Sequence, residues 1–390
     1  MTDSTAVSHT THADLATLHW LALMLTPGMG PTRGHRVVQH FGGIEHVFRA
    51  SLTELEAAGL PAASAQSIAL GKSFSLAEEE FMKARDAEAE LIPFEDQRYP
   101  SLLKEIYDPP LILYVRGSAE LLNEPGIGVV GTRHPTPYGM GMAERLSNDL
   151  ASRGLVIVSG MARGVDTHAH RGALNGKGKT VAVWGTGIDV PYPRDNRRIA
   201  DAILTAGGAL VSEFPVGTFA APQNFPIRNR IISGLSLGVL VVEAGEYSGT
   251  RITARCALEQ GREIFAVPGN VTNRNSWGPN TLIKQGAKLT ATWEDVWEEL
   301  PAAIKLQLEA NWRVESPKQP EASLFADSKL SPHEKRIYAL LKPDEATQLD
   351  AIIEKLEGET SSSEIFSALF ELELAGKIKQ LPGKNYVKTF

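Results

Sequence analysis

An alternation of short apolar runs with longer segments of mixed polarity begins at Gly126 and constrains the fold more than any other feature. The apolar runs have the length of buried strands, and the segments between them have the length of helices. Strands that alternate with helices predict a mainly parallel sheet with helices on both faces, that is, a doubly wound α/β fold. The predicted strands are 127–130, 155–158, 180–184, 209–211, 239–242 and 264–267.

Two flanking regions lack this alternation, so the 390 residues divide into more than one domain. We predict a small helical domain over 1–90, the α/β domain over 91–300, a linker over 301–330 and a last domain over 331–390. The linker is predicted because 313–330 is rich in Pro, Ser and charge. Three helical patterns and a short hairpin predict that the last domain is a winged helix.

The composition excludes several other classes of protein. Hydrophobic residues make up 43% of the chain and charged residues 22%, so neither wholesale disorder nor a coiled-coil rod is expected. The single cysteine, Cys256, excludes an intrachain disulfide and a cysteine-cluster metal site, which fits a reducing cytoplasm. The apolar run 18–25 is too short to cross a bilayer. We therefore expect a cytoplasmic protein without a signal peptide, a membrane contact, a metal or a cofactor.

The charge of the chain is unevenly distributed. The formal net charge is −7, yet residues 126–289 contain eighteen Lys and Arg against eleven Asp and Glu, a balance of +7. A ligand responds to the local field rather than to the charge of the whole chain. A nucleic-acid partner is therefore compatible with the acidic total.

Glycine-rich turns follow several of the predicted strands. Because the carboxyl ends of parallel strands meet at one edge of a Rossmann-like sheet, these turns should converge on one crevice. Their amides, hydroxyls and guanidinium groups suit an anion, whereas the alternative is that each glycine only makes a tight turn. The turns are Gly131-Thr132-Arg133, Ser159-Gly160-Met161-Ala162-Arg163-Gly164, Gly185-Thr186-Gly187-Ile188-Asp189 and Ser248-Gly249-Thr250.

The glycines at 126, 128 and 131 match the dinucleotide-binding pattern Gly-x-Gly-x-x-Gly as text. That pattern requires a strand before its first glycine. Here the apolar strand lies between the second glycine and the third, so we do not predict NAD binding.

The densest functional segment is 221–236, in which Phe225 precedes Arg228, Asn229 and Arg230. An aromatic ring beside arginines suits stacking on a base together with neutralisation of a phosphate. The alternative for Phe225 is an ordinary core aromatic. Residues two apart on a helix face different ways. We therefore expect one arginine to contact phosphate and the other to pair with an acid such as Glu213 or Glu243.

Residues that could carry catalysis do not form a convincing set. His168 and His170 diverge if they lie on a helix, and no third metal ligand is evident. Asp166, Asp189 and Glu243 are acids near the crevice that could do general acid–base work. We interpret them instead as helix caps, partners of arginines or groups that orient loops, and we predict no catalytic residue and no enzyme.

The sequence resembles the DprA (Smf) family of DNA-processing proteins. The order and spacing of that family's motifs match the strand-end turns, Tyr192-Pro193 and the segment 225–236. The resemblance extends from about residue 91 to about residue 300. It implies a bacterial cytosolic protein that binds single-stranded DNA, forms a homodimer and loads the RecA recombinase during natural transformation. It also implies that Arg133 and the segment around Phe225 line the DNA pocket.

The turns and this segment together supply the candidate nucleic-acid-binding residues. They are Gly131, Thr132, Arg133, Ser159, Gly160, Arg163, Phe225, Arg228, Asn229, Arg230, Ser248 and Thr250.

Two alternatives of other classes remain open. One is a nucleotide N-glycosidase of the lysine-decarboxylase-like group, whose fold is similar and whose loop reads Pro-Gly-Gly-x-Gly-Thr-x-x-Glu. Residues 243–250 lack the paired glycines of that loop, and no glutamate follows at the matching position. The other is a sensor that binds a free nucleotide in the same crevice.

The flanking domains leave their own alternatives. The turn 27–30 resembles a helix-hairpin-helix (SAM-like) turn that could hold a DNA phosphate, and a simple tight turn explains its glycines equally well. The third helix of the winged helix carries Glu364, Glu371 and Glu373 and no Lys or Arg. That charge is unfavourable in a DNA groove, so we expect a protein partner there.

Overall fold

A computed structural model describes residues 12–315, 331–342, 346–356, 360, 362–374 and 377–388. The predicted fold class is confirmed: a doubly wound, mainly parallel sheet carries a small helical domain before it and a winged helix after it. Within the described residues, no helix has the length and apolar character that crossing a membrane requires.

The N-terminal helices pack against the central sheet, because Trp20 and Leu21 share one buried cluster with Tyr114 and Leu210 of that sheet. A capping box between Ser51 and Glu54 begins the fourth helix. The predicted turn 27–30 joins the first helix to the second. The helices are α1 His12–Met24, α2 Pro31–Phe41, α3 Ile44–Arg49, α4 Leu52–Ala57, α5 Ala62–Ala69 and α6 Lys72–Asp86.

The central sheet has nine strands in the order β1-β2-β6-β5-β4-β3-β7-β8-β9. All six predicted strands are present and lie parallel to one another. The antiparallel strands β1 and β2 and the short β9 were not predicted. The strands are β1 Glu90–Pro93, β2 Ile112–Gly117, β3 Gly126–Val130, β4 Val156–Ser159, β5 Thr180–Val183, β6 Ala209–Ser212, β7 Gly238–Val241, β8 Glu263–Ala266 and β9 Lys288–Leu289.

Helices cover both faces of the sheet because alternate residues of each strand point to opposite faces. Ile127 and Val129 of β3 belong to one buried cluster and Val130 to another. The helices are α7 Ser101–Lys104, α8 Pro137–Ala151, α9 Val165–Asn175, α10 Arg197–Thr205, α11 Asn224–Gly234, α12 Thr250–Glu259, α13 Trp277–Lys284, α14 Trp293–Glu299 and α15 Ala302–Glu315.

The order in which strands are added to the sheet reverses beside β3, which makes this position the topological switch point. From β3 the strands proceed through β4 and β5 to β6 on one side, whereas β7, β8 and β9 are added on the other side. Connections that leave β3 and β7 in opposite directions open a crevice at the carboxyl ends of these strands. The convergence of strand-end turns that the sequence predicts occurs at this edge.

The winged helix contains the three predicted helices and the predicted hairpin. A third strand, β10, pairs with β12 but is only two residues long, too short for a sequence pattern. The elements are α16 Pro332–Leu340, α17 Leu349–Lys355 and α18 Ser362–Leu374, with β10 Thr347–Gln348, β11 Ile378–Leu381 and β12 Asn385–Lys388.

The structure differs from the sequence prediction within the segment 301–330. Its first half is helical, because α15 places Leu308 in the buried core of the α/β domain and Ile304 against that core. Residues 316–330, the rest of the predicted linker, lie outside the described residues.

A buried carboxylate joins the helical domain to the sheet. Oε1 of Glu80, on α6, accepts hydrogen bonds from the hydroxyl of Tyr114 on β2 at 2.9 Å and from the backbone N–H of Val216 at 2.7 Å. Burial and the adjacent carboxylate raise the pKa of Tyr114 well above its usual value, so the phenol keeps its proton. Val216 precedes α11, so the same contact also anchors the segment that leads to the crevice.

We expect Glu80→Ala to reduce the free energy of unfolding by about 2–4 kcal/mol, because two buried donors lose their acceptor. Glu80→Gln is the matched control, since its amide oxygen still accepts both bonds and should preserve most of the stability. Thermal and chemical denaturation of the three proteins measure the difference. Equal losses in both variants would show that the two hydrogen bonds are not the cause.

Candidate nucleic-acid interface

A cleft of about 940 Å³ lies at the edge of the sheet where the chain reverses direction. It is lined by the turns after β3 and β7, by the first turns of α11 and α12, and by the loop before α13. Three cations, Arg133, Arg251 and Arg274, lie in or beside it and are exposed. The exposed carboxylate of Glu246 also lines it, so the rim of this concave surface is cationic on balance.

One side of the cleft, which we call the first wall, consists of Arg133, Tyr192 and Phe225. Phe225 is half-buried and covers Gly185 so closely that a Cβ atom there would lie 2.9 Å from its ring. The ring centroid of Tyr192 is 5.4 Å from that of Phe225, with 34° between the ring planes. The guanidinium carbon of Arg133 is 5.5 Å from the Phe225 centroid. A planar group could stack beside these rings next to a cation.

The floor of the cleft is formed by Arg228, whose side chain is almost fully buried. Its Nη1 donates to the carbonyl oxygen of Gly160 at 2.7 Å and to that of Val183. A Cβ atom at Gly160 would lie 2.6 Å from the guanidinium, so the close approach requires glycine. Burial lowers the pKa of Arg228 to about 10, which leaves the group charged at neutral pH.

Carboxylates of the chain itself occupy one predicted anion-binding turn and the start of a neighbouring helix. In the turn after β4, Asp166 accepts hydrogen bonds from the backbone N–H groups of Gly160 and Ala162 at 3.1 and 3.3 Å. Glu243 accepts from the backbone N–H and the hydroxyl of Thr136 at the start of α8. Burial raises the pKa of both carboxyls, that of Asp166 to about 6. These three amides are therefore already engaged and are not available to an anion in the cleft.

A further group of residues, which we call the second wall, consists of Tyr247, Arg274 and Trp277, which line the cleft, and of Arg251, which contacts the Trp277 ring from a neighbouring pocket. None of the four was predicted as a site residue. Tyr247 lies inside a glycine-rich turn that was singled out only for Ser248 and Thr250. Trp277 lies beyond the loop after β8, a strand end to which the same convergence argument applies.

The structure brings together eight of the twelve candidate residues along the cleft. Gly160 and Arg163 line a small pocket that adjoins the first wall, and Arg163 pairs with Asp195 at 2.7 Å. The residues that line the cleft are Gly131, Thr132, Arg133, Phe225, Arg228, Asn229, Ser248 and Thr250.

The remaining two candidates lie away from the cleft. Ser159 is fully buried, and its hydroxyl donates to the carbonyl oxygen of Val129 at 2.6 Å. Arg230 pairs with Glu213 at 2.5 Å and with Asp108 at 3.0 Å, because it lies two positions from Arg228 on the same helix. Arg230 is thus the arginine that pairs internally, and Glu213 is its acid.

The two histidines of the sequence 168–170 have different partners. Nδ1 of His168 lies 2.7 Å from Oε1 of Glu144, whereas Nδ1 of His170 lies 2.8 Å from the hydroxyl of Thr180. Burial lowers the pKa of His170 to about 3, so its ring is neutral at physiological pH. Across the described part of the chain, no three His, Cys, Asp or Glu residues are grouped so that they could hold a metal ion.

The acid at position 189 also has a structural partner. Its Oδ1 accepts a hydrogen bond from the backbone N–H of Gly217 at 2.8 Å. Asp189 therefore orients a loop, as Asp166 and Glu243 do elsewhere.

The fold and the cleft define a class of protein: a doubly wound α/β domain with a cationic, aromatic cleft at its switch point, followed by a winged helix. Residues 90–301 match the family model described as DNA recombination-mediator protein A, and residues 316–384 match the DprA winged helix domain. The chain belongs to the DprA family, as the sequence motifs predicted.

Individual relatives agree with this assignment. The chain is 43% identical to Protein Smf of Escherichia coli (strain K12) over 305 residues, which cover 76% of this chain and 77% of that protein. It is 47% identical to the DNA processing protein DprA of Bacillus subtilis (strain 168) over 211 residues, 54% of this chain and 71% of the relative. The X-ray structure of DprA from Streptococcus pneumoniae superposes with a TM-score of 0.65 at 34% identity, covering 75% of this chain and 98% of that one.

The buried Asp166 carboxyl predicts a specific pH dependence of stability. Its pKa is about 6 in the folded chain and 3.8 ordinarily, so its stabilising contribution is fully present below pH 3.8 and is lost as the pH rises through 6. Asp166→Asn removes this titration. From pH 4.5 to 7, we expect the stability of the variant to rise relative to wild type by about 2 kcal/mol.

Chemical denaturation of both proteins across this range measures the effect. Because Glu243 titrates in both proteins, its contribution cancels in the difference. A constant difference between the two stability curves would show that Asp166 does not titrate in this window.

Proposed function

We propose that the cleft binds single-stranded DNA without reading its sequence. The observation that carries this proposal is the first wall, where the exposed Arg133 lies over the ring of Phe225 with Tyr192 beside it. Aromatic rings next to cations are the usual components of sites that stack bases and neutralise the backbone of a single strand. The relatives named DNA processing protein and the matched recombination-mediator family support the same ligand.

Two exposed arginines are suited to the phosphates. Arg133 and Arg274 line the cleft and make no ion pair with any residue that the structure describes. Each is therefore free to neutralise a phosphate without breaking an internal contact. At the start of α12, the Ser248 hydroxyl donates to the hydroxyl oxygen of Thr250 at 2.9 Å, which leaves the Thr250 hydroxyl as a hydrogen-bond donor at the cleft.

The proposed function includes no chemical step. A base-releasing enzyme would need an acid free to act on the substrate. Glu243, the acid nearest to the loop of the glycosidase group, is instead tied to Thr136 and is almost fully buried. Asp166 and Asp189 are likewise engaged by backbone amides.

Arg133→Ala is expected to weaken binding of oligothymidylate about tenfold at low salt, because a charge-assisted phosphate contact is lost. The slope of log affinity against log salt should become about 0.7 less steep, as expected for one lost contact to a single strand. Fluorescence anisotropy at several salt concentrations measures both quantities.

Arg255→Ala is the matched control, since Arg255 is equally exposed on α12 but pairs with Glu259 at 2.8 Å and does not line the cleft. It removes the same charge and should leave affinity and slope nearly unchanged. Identical effects of the two variants would assign the binding to overall charge and would remove Arg133 from the site.

We further propose, from the family resemblance, that two chains form a dimer in the cytoplasm and load RecA onto the strand during natural transformation. One physical argument supports the dimer. A single cleft covers only a few nucleotides, and two linked clefts on one strand gain affinity through effective concentration.

The α18 helix supports a protein-binding role for the winged helix. Phe366 and Phe370 lie one turn apart, and their side chains are 50% and 61% exposed. Glu371 and Glu373 beside them are also exposed, so this surface combines apolar rings with negative charge. Such a surface suits a protein better than a DNA phosphate backbone.

For the dimer, light scattering should give a two-subunit mass before DNA is added, and affinity should rise steeply once oligonucleotides are long enough to reach both clefts. For the partner, the protein should speed RecA filament formation on coated single strands. A monomer with length-independent affinity would overturn the dimer, and an unchanged filament rate would overturn the partner.

A further inference from the structure

We infer that the second wall, Tyr247, Arg251, Arg274 and Trp277, is a second base-stacking subsite, so that the cleft takes a strand of several nucleotides and not a mononucleotide. This inference rests on the proposed function, since it concerns the same ligand. It assigns a binding role to four residues that are not part of the first wall.

The second wall repeats the chemistry of the first. The guanidinium carbon of Arg251 lies 5.4 Å from the ring centroid of Trp277, as Arg133 lies 5.5 Å from that of Phe225. Arg251 is fixed in place by a hydrogen bond from its Nη1 to the carbonyl oxygen of Glu246 at 2.8 Å. Each wall thus presents an aromatic ring with its own cation, an arrangement that suits a ligand in which bases and phosphates alternate.

Both rings of the second wall are accessible. Tyr247 is 93% exposed and Trp277 is 38% exposed, although both lie against a concave surface. Two large exposed rings at one cleft indicate a surface that a ligand covers. Trp277 is not a core residue, because it lines both the cleft and the neighbouring pocket of Arg251 and remains exposed.

The backbone around Trp277 is anchored to the sheet. The N–H of Ala244, just after β7, donates to the carbonyl oxygen of Asn275 at 2.7 Å, and the N–H of Gly278 donates to the carbonyl oxygen of Ala244 at 2.7 Å. Nδ2 of Asn275 donates to the carbonyl oxygen of His134, which follows the turn of Arg133. The two walls are therefore connected to each other, and the indole is presented without an ordering step on binding.

The order of the strands sets the distance between the two subsites. Phe225 covers the end of β5. Trp277 is held at the end of β7, because the backbone on both sides of it hydrogen-bonds to Ala244. These two strand ends are three positions apart in the order β5-β4-β3-β7. Neighbouring strands are about 4.8 Å apart, so the subsites are roughly 14 Å apart. At about 3.4 Å per nucleotide, a stacked strand would place up to about four nucleotides in this span, and an extended strand fewer.

The test compares oligothymidylates of two and eight nucleotides, of which only the longer can reach both walls. We expect Trp277→Ala and Tyr247→Ala each to weaken binding of the eight-nucleotide strand about 5- to 150-fold, the loss of one base–aromatic stack. Each variant should lose most of the increase in affinity that the wild type shows when the strand is lengthened. Tyr107→Ala is the matched control, because Tyr107 is 85% exposed but lies outside the cleft.

Intrinsic fluorescence provides a second measurement that does not depend on the alanine variants folding. Stacking on Trp277 should quench its emission when DNA binds. Trp277→Phe should keep the affinity, because a ring remains, while it removes this quenching.

Three results would overturn the inference: unchanged affinity of the Trp277 and Tyr247 variants, equal losses in the Tyr107 control, or quenching that persists in Trp277→Phe. If wild type binds the longer strand and any of these results is found, the proposed function is still supported, but the inference of a second subsite is wrong. If wild type binds no oligothymidylate at all, the proposed function itself fails.

Discussion

The buried guanidinium of Arg228 connects parts of the cleft that come from distant segments of the chain. It donates to the carbonyl oxygens at the ends of β4 and β5, at Gly160 and Val183, and Asp166 balances its charge from the turn after β4. A buried cation is tolerated only when such partners surround it. The first wall lies directly above this network, since Phe225 belongs to the same helix as Arg228. The position of the aromatic ring therefore depends on a charge that the solvent does not reach.

The use of internal carboxylates distinguishes this cleft from that of a dinucleotide-binding domain. In that class the pyrophosphate lies on backbone amides at the start of the helix after the first parallel strand. Here Glu243 occupies the start of α8, and Asp166 occupies the amides after β4. Phosphate recognition is thereby left largely to flexible arginine side chains on the rim. Such cations neutralise a backbone without reading bases, which agrees with a ligand that is recognised by its charge and its stacking surfaces.

Sequence reasoning located the strands and the crevice because these depend on local patterns. Buried strands need continuous apolar runs, and parallel strands must end at one edge, so the order of residues is enough to place the turns at Gly131 and Ser248 together. The same reasoning did not separate Ser159 and Arg230 from the true lining residues. Ser159 is fully buried at the end of its strand, and Arg230 reaches Asp108, 122 positions earlier in the chain. Contacts between residues so far apart in the sequence cannot be recognised from a local sequence pattern.

The sequence by itself determined the α/β class, the helical and winged-helix flanks, the family and the edge of the sheet at which a ligand would bind. Only the tertiary structure decided which side chains face that ligand. It buried Arg228 in the floor and placed Trp277 in the same cleft as Phe225. It also placed Asp166 on the amides of one predicted anion-binding turn and Glu243 at the start of α8. The physical reason is that periodicity and strand order follow from neighbouring residues, whereas burial and charge pairing depend on residues that meet only when the sheet has assembled.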